Sequence, residues 1–312
     1  MTQKLLSVVT SCYNEEENVR PLYEAVRAVM ARHPQYRYEH IFIDNNSKDA
    51  TRRVLREMCA EDPNVKAIFN ARNFGGARSG IHVVLQARGA AVIGLACDFQ
   101  DPPELIDEFI QHWESGAKIV LGVKTSSAER SMFYGLRGLY YRTLGRMSNA
   151  PVVAQATGFG MFDRTVVEAM RAIDDPYPFF RGLLAEIGYP AVLVPFHQPR
   201  RRRGITSQNF YSLYDQAFLG ITSHSRVPLR IATMLGFAMS VVSVLVALGY
   251  FAAKLLFWNS FSLGVAPILI GFFLLTSVQL FFIGIVGEYV GTIWTHVRHV
   301  PHVFELERIN FE

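Results

Sequence analysis

The chain reads as an α/β domain built on a mostly parallel sheet with helices on both faces, followed by two C-terminal transmembrane helices. Three observations carry this reading. Strand-like apolar runs alternate with helical patterns over residues 1–228, the mark of βαβ units. Several of those runs are continuously apolar, as strands buried on both faces are. The last quarter holds two 23-residue stretches without a charge, Ile231–Ala253 and Val265–Gly287. At about 1.5 Å per residue each spans a hydrocarbon core of roughly 30 Å.

The elements follow in order. LLSVVTSC (Leu5–Cys12) is a strand, and a helix runs from about Glu16 to His33. HIFID (His40–Asp44) is a strand, followed by a helix from about Asp49 to Glu61. VKAIF (Val65–Phe69) is a strand, followed by a helix from about Ala77 to Arg88. AAVIGLAC is a fully apolar strand that ends at Cys97. Ligands of open α/β sheets bind beyond the carboxyl ends of the strands. Tyr13–Glu15, Asp44–Ser47, Arg72–Gly76 and Asp98–Asp101 are therefore expected to meet along one edge.

Composition bounds the function. Of 312 residues, 19% are charged, below the roughly 25% of soluble domains, in keeping with membrane segments. An aromatic share of 12% argues against disorder. A net charge of +4 lacks the dense basic stripe of a nucleic-acid binder. Three scattered cysteines, Cys12, Cys59 and Cys97, form no disulfide framework and read as reduced cytosolic thiols. The first twelve residues hold too short an apolar run for a signal peptide. Arg226 and Arg230 precede the first span, Arg298 and Arg308 follow the second, and the connector carries only Lys254. The positive-inside rule then puts both termini in the cytoplasm. Trp258 and Trp294 fall where an aromatic belt would lie.

The segment Asp98-Phe-Gln-Asp-Pro-Pro-Glu-Leu105 carries the sharpest chemistry. Asp98, with Gln100, offers oxygen ligands to Mg²⁺ or Mn²⁺. Asp101-Pro-Pro-Glu104 reads as a helix cap with Pro at the first helical position. Asp44-Asn45-Asn46-Ser47 serves equally to bind a ribose or base, or to turn the chain and cap a helix. The basic run Arg200–Arg203 before Gly204 and Thr206 suits bidentate phosphate binding and also attraction to anionic headgroups. Phe210, Leu213, Tyr214, Ala217, Phe218 and Ile221 recur at helical spacing, fitting an interfacial helix or ordinary core. Met132–Met147 is a similar apolar helix bearing Arg137, Arg142 and Arg146. His296, His299 and His302 read as interfacial side chains. No nucleophile–His–acid arrangement and no zinc pattern is present.

Together, SVVTSCYNEEENV, IDNNSKDAT, NARNFGGARSG, CDFQDPPEL, TGFGMFDR, RRRGITSQNFYSLY and GEYVGTIWTHVRHVP resemble the membrane-anchored polyprenyl-phosphate glycosyltransferases of glycosyltransferase family 2, relatives of dolichyl-phosphate mannose synthase. The likeness covers essentially the whole chain. It implies a GT-A fold in a cytosolic catalytic domain (residues 1–208), a juxtamembrane amphipathic helix (209–229), two membrane helices (230–290) and a cytosolic tail (291–312) at the inner membrane. It implies an enzyme that moves one sugar from a nucleotide donor, UDP-linked by default, to undecaprenyl phosphate by inverting in-line displacement. By position, Tyr13, Asn14, Glu15, Asp44, Asn45 and Arg72 would line the nucleotide site, and Asp98 and Gln100 the Mg²⁺ or Mn²⁺ site. Arg201, Arg202, Arg203, Gly204 and Thr206 would grip the acceptor phosphate, with Asp98, Arg202 and Arg203 catalytic. The expected partners are a nucleotide sugar, a polyprenyl phosphate lipid, the membrane and further copies of the chain, but no nucleic acid. The sequence departs from the family pattern at Ala96, at Asn45-Asn46, at Gly76, at Gly160 and at Ser207. The other readings are a non-catalytic membrane protein that binds nucleotide sugar or lipid phosphate, and a transferase with a different lipid or glycan acceptor.

Overall fold

A computed structural model describes residues 3–126, 156–175, 179–199, 227–257, 265–298 and 300–311. The strands are β1 (Leu5–Cys12), β2 (Arg37–Asp44), β3 (Val65–Asn70), β4 (Ala91–Gly94), β5 (Ile119–Ser126), β6 (Ala156–Asp163), β7 (Ala191–His197) and β8 (Glu305–Ile309). They form one sheet in the order β7-β5-β6-β4-β1-β2-β3-β8. The central run β4-β1-β2-β3 is parallel throughout, as is β5-β7, whereas β6 and β8 run antiparallel to their neighbours.

Helices cover both faces, as the apolar strands require. On one face α1 (Val19–Met30), α2 (Thr51–Glu61) and α4 (Ile106–Glu114) bury Leu22, Leu55, Met58 and Phe109 against Leu6, Val8, Phe42 and Phe69. On the other, α3 (Gly76–Gln86), α5 (Arg164–Ile173) and α6 (Phe180–Ile187) cover Val9, Ile41, Ile43 and Ile68. Apolar residues at i, i+3, i+4 and i+7 make such a stripe: Val19, Leu22, Tyr23 and Val26 all point inward from α1. Gly160 permits close packing of β5 on β6, since a Cβ there would collide with the Val120 carbonyl.

Asp163 starts α5 by accepting the Thr165 N–H, and it also binds the Trp113 indole (2.8 Å) and Lys118 (3.0 Å). Burial pushes its pKa up, but these hydrogen bonds prevail and hold it at about 2. A depressed carboxylate stabilises the fold above its ordinary value near 3.8, and that contribution fades as pH falls toward 2. Asp163→Ala is expected to cost about 1 kcal/mol as a lost N-cap. The gap to wild type should narrow in thermal melts between pH 4 and pH 2.

Two expectations are corrected. The fourth strand ends at Gly94, not Cys97. Leu95 still donates to the Val9 carbonyl, after which the chain turns and places Phe99 at φ 59°. Asp101 is not a helix cap. Its carboxylate folds back to accept the Ala96 N–H (3.1 Å), and the short 3-10 turn Pro103–Leu105 begins without a side-chain cap. Within the segment after the second long helix, Glu305–Ile309 pairs with β3 as an edge strand that the sequence did not announce.

The long apolar stretches are helices α7 (Val227–Leu256) and α8 (Val265–Val297). Both are long and apolar enough to cross a membrane. α8 continues ten residues past the expected end of its span. Phe237, Leu245, Phe251, Phe272, Leu280 and Phe281 lie exposed along them. For water-facing residues that would be unfavourable, at about 25 cal/mol per Å² of apolar surface.

Candidate functional site

Four loops leave the carboxyl ends of β1, β2, β3 and β4, and the parallel register puts those ends side by side at one sheet edge. The sequence-predicted segments Tyr13–Glu15, Asp44–Ser47, Arg72–Gly76 and Asp98–Asp101 occupy these loops.

The β1 and β2 loops are tied together. Asn14, at φ 55°, donates its N–H to Ser47 Oγ (2.9 Å) and accepts the Lys48 N–H (2.8 Å). Glu15 is buried. Its N–H goes to Thr51 Oγ1 (2.9 Å), and its carboxylate accepts Asn18 Nδ2 (2.6 Å). Tyr13 is exposed.

Asp44 and Asn45 turn inward. Asp44 is fully buried, ion-paired to Arg52 at 2.7 Å, and accepts the backbone N–H groups of Asn46 and Ser47. Asn45 is the centre of a side-chain network. Its Oδ1 accepts from Phe74 N–H (2.9 Å), Ser79 Oγ (3.0 Å) and Asn70 Nδ2 (3.1 Å). Its Nδ2 donates to Asn73 Oδ1 (2.8 Å), which in turn accepts the Gly75 N–H (2.9 Å). Gly75 sits at φ 86°, a conformation that suits glycine. The β2 end therefore shapes the β3 loop. Arg72 rides on that loop with its guanidinium 4.1 Å from the Phe74 ring centroid.

Asp98 and Gln100 share a tight turn in which the Gln100 N–H donates to Asp98 Oδ1 (3.1 Å). Behind them Asp101 is buried. Desolvation raises its pKa to about 6, aided by Asp98 and opposed by the Ala96 N–H and Lys124. Mg²⁺ and Mn²⁺ are hard ions that take one or two carboxylates and complete their shell with substrate phosphate and water. Asp98 with the Gln100 amide fits that donor set. No cage of three or more His, Cys, Asp or Glu exists among the described residues. The neighbouring thiol of Cys12 is pushed well up by burial, which removes it as a nucleophile.

Sequence reasoning missed Arg52, and it held Asn73 only as part of the Arg72–Gly76 segment and Asn70, Ser79 and Thr51 only inside longer motifs, without the supporting bonds that these residues make. Asn70 gave one signal, a polar residue closing a buried strand at the ligand edge. Residues 200–226 lie outside the described residues, and with them Arg201, Arg202, Arg203, Gly204, Thr206 and most of the amphipathic stretch. So do Met132–Met147, Trp258 and His299. The His302 ring bonds the Asp175 carbonyl (2.8 Å).

Comparison with known proteins adds four findings. Residues 7–171 match the family described as Glycosyl transferase family 2. An uncharacterised glycosyltransferase of Synechocystis sp. is 32% identical over 302 residues, covering 95% of this chain and 93% of that protein. The bactoprenol glucosyl transferase of Shigella phage SfV is 31% identical, covering 95% and 96%. Among solved structures, the mannosyltransferase PcManGT of Pyrobaculum calidifontis, in complex with GDP-Man and Mn²⁺, is 15% identical with a TM-score of 0.48, covering 96% of this chain and 88% of that one.

Proposed function

Because the chain belongs to glycosyltransferase family 2 and has its GT-A type of sheet, we propose that it transfers one sugar from a nucleotide sugar, UDP-linked by preference, to a polyprenyl phosphate such as undecaprenyl phosphate. The observation that carries this reading is the convergence of four polar loops on one sheet edge of a chain whose relatives include a bactoprenol glucosyl transferase over nearly full length.

The chemistry needs few catalytic groups. A phosphate monoester has its second pKa near about 6, so the acceptor oxygen is already anionic at neutral pH. That oxygen bonds to the anomeric carbon as the bond to the nucleoside diphosphate breaks, with inversion. The enzyme's task is alignment and charge stabilisation. Tyr13, Asn14 and the Asn46–Ser47 turn receive the nucleoside. Asp44 and Asn45 act from behind by fixing that turn and the Arg72 loop. Arg72 meets diphosphate charge, and Arg202 and Arg203 with Arg201, Gly204 and Thr206 hold the acceptor phosphate. Asp98 and Gln100 would hold Mg²⁺ or Mn²⁺, which would supply positive charge against the departing diphosphate.

In this reading α7 and α8 cross the cytoplasmic membrane. The strand before them and the strand after them belong to one sheet, so the helices must cross an even number of times. With the arginine flanks, this supports a cytoplasmic catalytic domain and cytoplasmic termini.

The test is a transfer assay. Protein in lipid is mixed with undecaprenyl phosphate, Mg²⁺ or Mn²⁺, and labelled UDP- and GDP-sugars in turn. Label moving into the organic phase with one donor is expected. Nucleotide binding without transfer from any donor, beside an active relative, would overturn the catalytic reading in favour of a binding protein.

Asn45→Asp tests the supporting network. It replaces a donor to Asn73 by a second acceptor and buries a charge. An unmade buried hydrogen bond costs about 1–3 kcal/mol. The melting temperature should fall and the donor KM rise, while acceptor KM stays unchanged.

A further inference from the structure

We propose that Val300–Ile309 is a strap that positions the Arg72–Gly76 loop for the donor and ties that loop to helix α8. The proposal rests on the donor-site reading above and deepens it.

β8 has an ordinary task, since an edge strand covers otherwise unpaired backbone. It does this along Ala67–Phe69. The contacts made ahead of β8 go further. The Ala71 N–H, where the β3 loop begins, donates to the Phe304 carbonyl (2.8 Å). The Phe304 ring lies 6.2 Å from that of Phe74 in the middle of the loop. Arg78, just past the loop in α3, donates to the Pro301 carbonyl (2.7 Å). One turn further, His82 Nε2 meets Glu305 Oε1 at 2.5 Å. Both ends of the loop and its central ring are thus held by one short segment, and the β3–β8 register shifts at Phe69/Asn70, where the loop departs. An edge cover does not require these bonds.

The loop so gripped is the one that carries Arg72 against the Phe74 ring and Asn73 against Asn45. The strap starts three residues after α8 ends at Val297. The segment is thus joined to the apolar helix by the chain itself, and ring contacts run on from Phe304 through Phe74 to Arg72. Phe304 is a positioning residue, since it acts on the donor through Phe74.

The test uses the full-length protein in lipid with Phe304→Ala, Phe304→Leu and the control Leu306→Ala. Phe304 and Leu306 are both more than half exposed, so each variant keeps its core. Donor KM with labelled UDP-glucose and GDP-mannose, acceptor KM, kcat, calorimetric binding of UDP and GDP, and melting temperature are read for each. Phe304→Ala should raise donor KM and nucleotide Kd about tenfold with kcat within about twofold, the signature of lost uniform binding. Acceptor KM should hold, Phe304→Leu should recover part, and Leu306→Ala should match wild type. Unchanged donor KM in Phe304→Ala overturns the strap. So does a lower melting temperature with kcat falling and donor KM constant, which makes β8 only an edge cover. Wild-type protein that binds neither nucleotide overturns the donor-site reading itself.

Discussion

Asp98→Ala is expected to reduce sugar transfer by about 10³-fold or more, equivalent to about 4 kcal/mol of transition-state stabilisation at 1.36 kcal/mol per tenfold. The side chain stands at the turn after β4 and is only half-buried. The Gln100 N–H donates to it, and at a partly exposed turn its removal should leave the melting temperature close to wild type. The loss should sit in kcat, because charge on the departing diphosphate grows only as the bond breaks. Chelation should act in the same way: EDTA abolishes transfer by the wild type, and Mg²⁺ or Mn²⁺ restores it. Asp98→Ala should show no restoration at any metal concentration. Near-normal turnover in this variant would remove Asp98 from the metal site. Asp101→Asn is the informative companion. Its carboxylate closes the loop on Ala96 and is buried, so this variant should change melting temperature and loop order more than metal response.

The fold was legible because β1 to β3 end in apolar runs that give way directly to polar loops, and β4 lies within one such run even though it stops at Gly94. The period of α1 and α2 is unambiguous, and the parallel βαβ order then fixes which loops are neighbours. The meeting of the four candidate loops was legible at the same resolution. Tyr13, Asn45, Arg72 and Asp98 come to one edge because topology alone requires it. What stayed hidden was the direction of side chains within those loops. Asp44 and Asn45 are adjacent polar residues at a strand end, and either could face a ligand. Their inward commitment depends on Arg52, Asn73 and Ser79, which arrive from other elements. Asp101 carried a cap-like sequence, but the left-handed turn at Phe99 swings its carboxylate back to Ala96, a contact no local pattern encodes. β8 was missed for a different reason. Glu305-Leu-Glu-Arg-Ile309 alternates only weakly, and its partner lies more than 230 residues earlier, so nothing in the neighbouring sequence announces the pairing.

Arg52→Met is expected to destabilise the protein by about 3 kcal/mol, the lower end of the cost of stranding one member of a buried ion pair. Asp44 is fully buried and its carboxylate lies 2.7 Å from the Arg52 guanidinium, which itself keeps about a quarter of its surface in solvent. With Arg52 gone, Asp44 retains only the backbone N–H groups of Asn46 and Ser47 as partners among its described bonds. Those donors do not neutralise a buried charge. Arg52 also donates to the Asn70 carbonyl (2.8 Å), so the ends of β2 and β3 loosen together. Asp44→Asn combined with Arg52→Met removes the stranded charge yet leaves an oxygen for the Ser47 N–H. It should recover much of the loss, and a double-mutant cycle on denaturant unfolding would measure the coupling. The functional consequence follows from the same bonds. Ser47 Oγ accepts the Asn14 N–H, so once the Asn46–Ser47 turn slackens, the β1 loop loses its anchor and donor binding should weaken in proportion to the local disorder. A single Arg52→Met variant as stable as wild type would mean that the pair contributes nothing net. The β2 turn would then owe its shape to its backbone alone.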